Sequence, residues 1–176
     1  MGCDEVFEYC WNNDDIKKWM ADHNVGTWQE LFDYYVGQIR KLKDSDRSAV
    51  FWGNQDTEFL TFGKDDIIQY WGKNDSLQEY MNHYSESKMV LSNYDSLYFD
   101  CGLGNYFGND AFCNPMHTWR EIYFWDPALL VDDNSLSRVL GAEAAQWGEL
   151  NNDVTTMDRL FPRLTALGER LWSRRD

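Results

Sequence analysis

Two spacings of apolar side chains alternate along this chain. Over 14–23 (DDIKKWMADH) they recur at helical intervals behind an aspartate able to cap the first turn. Thr27-Trp28-Gln29-Glu30 has the form of a capping box, and the helix it opens runs to about 43, with Leu31, Tyr34, Tyr35, Ile39 and Leu42 near one face. Short β-branched and aromatic runs follow at 49–52 (AVFW) and 67–71 (IIQYW). The stretch 76–84 reads as helix, 88–92 (KMVLS) as a third strand, and 100–114 as a long loop rich in Gly and Asn. A fourth strand is read at 139–143, and an amphipathic helix over 157–172 closes the chain.

Hydrophobic strands separated by helices predict parallel βα units, an α/β fold. Polar and aromatic residues stand after each strand: Asn54, then Trp71, then Tyr98 and Asp100, then Trp147 and Glu149. In a (β/α)8 barrel that end of the strands is where sites are built. A full barrel takes roughly 250 residues, and this chain has 176. Four strands, with whatever precedes Asp4, predict the second half of a barrel.

Charge narrows the partners. Thirty acidic against sixteen basic side chains give a net charge of −14, which repels nucleic acid and anionic membranes. Hydrophobic residues make up 43% of the chain, enough for a core, yet no run of eighteen predicts a membrane span. No secretory leader is read before the first element. Nine Trp, ten Tyr and ten Phe are an unusual aromatic load. Abundant indoles beside abundant carboxylates suit a sugar cleft, because pyranose C–H faces stack on rings while hydroxyls need polar rims.

The four cysteines, with three His, have no zinc-site spacing, and no metal or cofactor is expected. Cys101 and Cys113 would close the Gly/Asn-rich loop as a disulfide in an oxidising compartment. Asn74-Asp75-Ser76 is a glycosylation sequon fitting the same compartment. Trp19, Trp28, Trp125 and Trp172 read as packing residues, and Asp65-Asp66 and Asp132-Asp133 as solvated caps.

Gly2-Cys3-Asp4-Glu5-Val6 followed by Cys10-Trp11 resembles the active-site motif of glycoside hydrolase family 20, the β-N-acetylhexosaminidases. The likeness continues through Trp52, Gln69-Tyr70-Trp71, the segment from Leu91 to Gly102, Asn114-Pro115, Trp119, Tyr123 and Asp126-Pro127. It resumes from Leu140 to Glu149 and in Pro162-Arg163, Ala166-Leu167 and the Glu169 to Ser173 run. Arthropod chitin-degrading members look closest. The resemblance implies a TIM barrel represented here by roughly strands four to eight. Strands one to three, with an arginine that grips the terminal sugar, have no counterpart.

That family's chemistry implies a substrate-assisted retaining mechanism. Glu5 would be general acid and then base, with a pKa raised by its pocket. Asp4 would accept the substrate's acetamido N–H and stabilise the charge that develops there. Tyr98 would hydrogen-bond the acetamido oxygen. Trp52, Trp71 and Trp147 would wall the terminal sugar, and Asp100 and Glu149 would bind its outer hydroxyls. Phe112 stands where chitin-degrading members carry a tryptophan for the next sugar. Cys3 replaces the motif's second Gly, and Cys10 lacks the upstream partner it has in the family. The substrates implied are N-acetylhexosamine-terminated glycans or chitooligosaccharides. At full length the resemblance implies a secreted or lysosomal homodimer. Half a barrel would leave strand edges and core open to water, so the chain alone is expected to be unstable and inactive. A sugar-binding protein without catalysis and an inactive truncated product are the other readings.

Overall fold

The computed structural model describes residues 2–54, 61–103, 113 and 115–173. Four strands, β1 (Val50–Gly53), β2 (Ile67–Tyr70), β3 (Lys88–Leu91) and β4 (Val139–Ala142), form one parallel sheet in the order β1-β2-β3-β4. Parallel neighbours in chain order require crossovers. Among the described residues nine helices supply them and the flanks: α1 (Glu8–Trp11), α2 (Asp14–Asp22), α3 (Trp28–Lys41), α4 (Leu77–His83), α5 (Tyr94–Leu97), α6 (Trp119–Phe124), α7 (Asp133–Leu136), α8 (Thr156–Leu160) and α9 (Arg163–Trp172).

Alternation along the strands decides which face is covered. Phe51, Ile68, Tyr70, Met89 and Leu91 are fully buried, and the last four join Leu77, Met81, Ile122 and Leu167 from the helices in the larger core. A smaller core gathers Phe32, Val36, Ala49 and Phe51, with Cys3, Val6 and Trp11 packed on it. The intervening strand residues Trp52 and Val90 are only half-buried, and Leu140 is 53% exposed. Parallel sheets are ordinarily covered on both faces. Here, among the described residues, helices cover one.

The strand and long-helix expectations coincide with β1 to β4, α2, α3 and α4 to within two residues. The Thr27 box forms as read: Thr27 Oγ1 accepts the Glu30 N–H at 3.1 Å and Glu30 Oε2 accepts the Thr27 N–H at 3.1 Å. Other expectations need correction. Residues 2–7 form no strand, so the described sheet consists of β1 to β4. Cys3, with φ 75°, interrupts any extended run there. The closing helix is two helices, because Pro162 lacks an N–H and forces Phe161 to an extended conformation (φ −99°, ψ 142°). Trp172 is 92% exposed rather than packed in a core. Asp66 is no solvated cap: it is buried and paired with Arg40. Asp132 does cap α7, accepting the Ser135 N–H at 2.7 Å.

Candidate active site

The C-terminal ends of the strands open into a cleft of about 840 Å³. Asp4, Glu5, Trp71, Tyr98, Trp147 and Glu149 line it together. These residues come from four separate stretches of the chain. The sheet ends bring Trp71, Tyr98, Trp147 and Glu149 to one place, and the irregular segment 2–7 adds Asp4 and Glu5.

Each wall has a local cause. Trp71 follows β2 directly, and its N–H donates to Gly53 O at 3.2 Å, extending the ladder from β1. Tyr98 leaves α5 in an extended conformation and bridges Ala145 in parallel fashion. Phe99 N–H donates to Ala145 O at 2.7 Å, and Ala145 N–H to Leu97 O at 3.0 Å. This extra rung continues the β3–β4 pairing and holds Tyr98 beside Trp147. Their ring centroids are 5.7 Å apart at 68°, an edge-to-face contact. The Trp52 and Trp147 ring centroids are 5.5 Å apart at 51°.

Electrostatics set the carboxylates apart. Burial raises the Asp4 carboxyl above the ordinary aspartate value, against the lowering effect of its own backbone N–H and the chain's amino terminus. Burial likewise raises the Tyr98 phenol; a hydrogen bond with the Trp147 side chain pulls it down, and the charges of Asp4, Asp100 and Glu5 push it up. Glu5, in contrast, is exposed.

Asp100 is not on the cleft surface. It is 1% exposed, and its Oδ1 accepts the Trp147 main-chain N–H at 3.1 Å. Burial raises its pKa, while Arg163 acts in the opposite sense. Arg163, at the start of α9, donates to Phe99 O at 2.6 Å and fixes the turn that carries Asp100. Glu149 is exposed at the rim. Phe112 lies outside the described residues.

Cys101 and Cys113 are joined by a disulfide, and Cys113 reaches the cleft lining. Asp100, Cys101 and Cys113 bring potential ligand atoms within 4.8 Å of one another, but both sulfurs are consumed by that bond. Asn74 is half-buried; its Nδ2 donates to Ser96 Oγ at 2.6 Å, a bond that an N-linked glycan would disturb. Three further lining residues, Lys73, Tyr94 and Asp95, escaped the sequence reading. Tyr94 and Asp95 sit inside the quoted segment from Leu91 to Gly102, but residue type alone assigns them no task. Asp95 Oδ2 accepts the Asn74 N–H at 2.9 Å, and burial raises its pKa.

A second hollow, of about 660 Å³, lies on the α2–α3 side and shares Glu5 with the cleft. Its wall is apolar, with Cys3, Val6, Phe7, Trp11 and Phe32. No helix among the described residues is long and apolar enough to cross a membrane.

Comparison with known proteins gives the arrangement its context. The chain is 34% identical over 194 residues to the chitooligosaccharidolytic β-N-acetylglucosaminidase of Ostrinia furnacalis, covering 98% of this chain and 32% of that one. It is 30% identical over 190 residues to the Bombyx mori protein of the same name, covering 98% and 31%. It therefore spans about one third of the length of these curated relatives. Among solved structures, the chitobiase of Flavobacterium johnsoniae superposes with a TM-score of 0.68 at 28% identity, over 99% of this chain and 25% of that one. The Vibrio harveyi exo-β-N-acetylglucosaminidase, in complex with N-acetylglucosamine, shares the fold with a TM-score of 0.70 at 24% identity, over 100% of this chain and 28% of that one. Residues 1–175 match the profile of the glycosyl hydrolase family 20 catalytic domain. With the motifs in order, the sheet superposing and the profile matched from end to end, this chain belongs to glycosyl hydrolase family 20.

Proposed function

We propose that this chain carries the acid/base half of a β-N-acetylhexosaminidase site, built to release terminal N-acetylglucosamine or N-acetylgalactosamine with retention. The observation that carries the reading is the convergence of Asp4, Glu5, Tyr98, Trp147 and Glu149 on one cleft. In this mechanism the substrate's 2-acetamido oxygen attacks the anomeric carbon as the glycosidic bond breaks. Glu5 gives its proton to the leaving oxygen, then takes one from the water that opens the oxazolinium intermediate. Asp4 accepts the acetamido N–H and stabilises the cation. Tyr98 donates to the acetamido oxygen and aims it. Trp52, Trp71 and Trp147 enclose the sugar. Glu149 takes outer hydroxyls, with Asp100 beneath, and the next sugar is assigned to Phe112. Chitooligosaccharides are the favoured substrates, in keeping with the names of the Ostrinia and Bombyx relatives.

A general acid needs cover from water to hold its proton near neutrality, and Glu5 is exposed. We therefore place competent catalysis in a longer assembly and expect the isolated chain to bind sugar better than it cleaves it. The half-covered sheet supports the part-barrel reading on the same grounds. The Cys101–Cys113 disulfide supports an oxidising compartment.

Glu5→Gln is the test. Sugar affinity should stay within about threefold, while hydrolysis of a chromogenic N-acetylglucosaminide falls by on the order of 10²–10⁴ from whatever rate the unmodified chain shows. A sugar-binding protein without catalysis, which the exposure of Glu5 favours, would show no rate to lose. Turnover by the 176-residue chain equal to that of a full-length relative would overturn the incompetence of the isolated chain.

A further inference from the structure

In the Gln69-Tyr70-Trp71 motif the proposed chemistry uses Trp71 and leaves Gln69 without a task. Gln69 is 8% exposed and pairs in register with Trp52 on β1 and Val90 on β3. Its Nε2 donates twice, to Ser92 Oγ at 3.1 Å and to Glu143 Oε1 at 2.8 Å. Ser92 Oγ donates its own proton to Glu143 O at 3.2 Å. Both amide hydrogens and the serine hydroxyl are therefore spent in one closed set. A carboxylate accepts only donors, which fixes the amide's orientation. Ser92 is fully buried.

This set ties three strand ends together just below the cleft. Trp71 lies two residues beyond Gln69. Tyr98 lies on the extension of β3 beyond Ser92, and Trp147 on the extension of β4 beyond Glu143. Main-chain bonds hold the strands at that level, Ser92 N–H to Tyr70 O at 2.7 Å and Glu143 N–H to Leu91 O at 2.9 Å. The Gln69 side chain adds a bond that spans from β2 to the residue that follows β4. We propose that Gln69, braced by Glu143, is a positioning residue that sets the spacing between Trp71 and the Tyr98–Trp147 wall, and so the fit of the acetamido sugar between them. This rests on the sugar-cleft reading, and its test has an arm that does not.

The decisive comparison is Q69E against Q69E/E143Q. The single change sets two carboxylates against each other. The double change reverses the polarity of the pair, so that an amide on the β4 side can donate to a carboxylate on β2. N-acetylglucosamine affinity, read by indole fluorescence, should fall about tenfold in Q69E and return to within about threefold in the double variant. The ligand-free near-UV circular dichroism of the indoles should change and return in parallel. E143Q alone, which keeps an amide oxygen as acceptor, should lose about threefold and serves if Q69E does not fold. Recovery by the reversed pair is an effect that loss of bulk stability would not produce. Unchanged affinity and dichroism in Q69E, or a double variant no better than the single, would overturn the proposal. If the unmodified chain binds no N-acetylglucosamine, the sugar reading fails and the dichroism alone decides for or against the clamp.

Discussion

Asp100 holds Trp147 by the main chain rather than by the ring: the buried Oδ1 accepts the Trp147 N–H at 3.1 Å. A residue read from sequence as a sugar ligand is thus committed to placing the wall that the sugar would meet. Charged acceptors of backbone N–H groups are worth more than neutral ones. Asp100→Ala should lower the unfolding free energy by about 2 kcal/mol and broaden the Trp147 environment. Asp100→Asn, which keeps a carbonyl acceptor, should cost about half that. Urea unfolding of both variants checks the order, and equal losses would contradict it.

The buried Asp100 and the half-buried Asp4 and Asp95 give the stability of the chain a pH dependence. Asp4, Asp95 and Asp100 are each raised, chiefly by burial. A carboxyl that binds its proton more tightly folded than unfolded favours the fold at low pH. That contribution is lost as pH rises from the unfolded value of about 3.9 through the raised folded value. The exposed helix caps Glu121 and Asp132 act in the opposite sense, being lowered by the N–H groups of Thr118 and Ser135; their contribution is lost as pH falls through the folded value. Asp95→Asn keeps an acceptor for the Asn74 N–H and removes one of the raised groups. Its stability should fall less steeply with rising pH above that of an ordinary aspartate. Chemical unfolding over a pH series measures the slope, and an unchanged slope would count against burial as the cause.

Cys3 occupies a left-handed conformation with φ 75°. L-residues with a Cβ pay roughly 1–2 kcal/mol there, and glycine does not. Cys3→Gly should therefore leave the thermal midpoint unchanged or raise it, even though the thiol packs on the smaller core. Cys3→Val should lower it, because a branched Cβ fits that region worst. A lower midpoint for glycine than for valine would show that packing outweighs the backbone term.

The sheet was legible because its strands are short apolar runs with one period, and the capped helices because Thr27 and Glu30 announce themselves locally. Another box of the same kind, Thr118 with Glu121, opens α6, and the sequence reading passed over it. The cleft walls Trp71, Tyr98 and Trp147 could be placed since strand ends point to them. Asp100 could not, because whether a carboxylate faces sugar or backbone depends on the Tyr98–Ala145 rung, a contact between residues far apart in the chain. The exposure of Glu5 was equally hidden, as it depends on what covers the cleft rather than on the Asp4-Glu5 pair itself. The break at Pro162 was readable from the proline and was overridden by the apolar spacing on either side.

Paired titrations with N-acetylglucosamine and with glucose, followed by indole fluorescence, bear most directly on whether this cleft takes an amino sugar by its amide. The two ligands share a pyranose ring and differ at the 2-substituent. N-acetylglucosamine should give a saturable change that Asp4→Asn and Tyr98→Phe each weaken by about tenfold, while glucose gives none at the same concentrations. Equal responses to both sugars, or a response to N-acetylglucosamine indifferent to Asp4 and Tyr98, would contradict it.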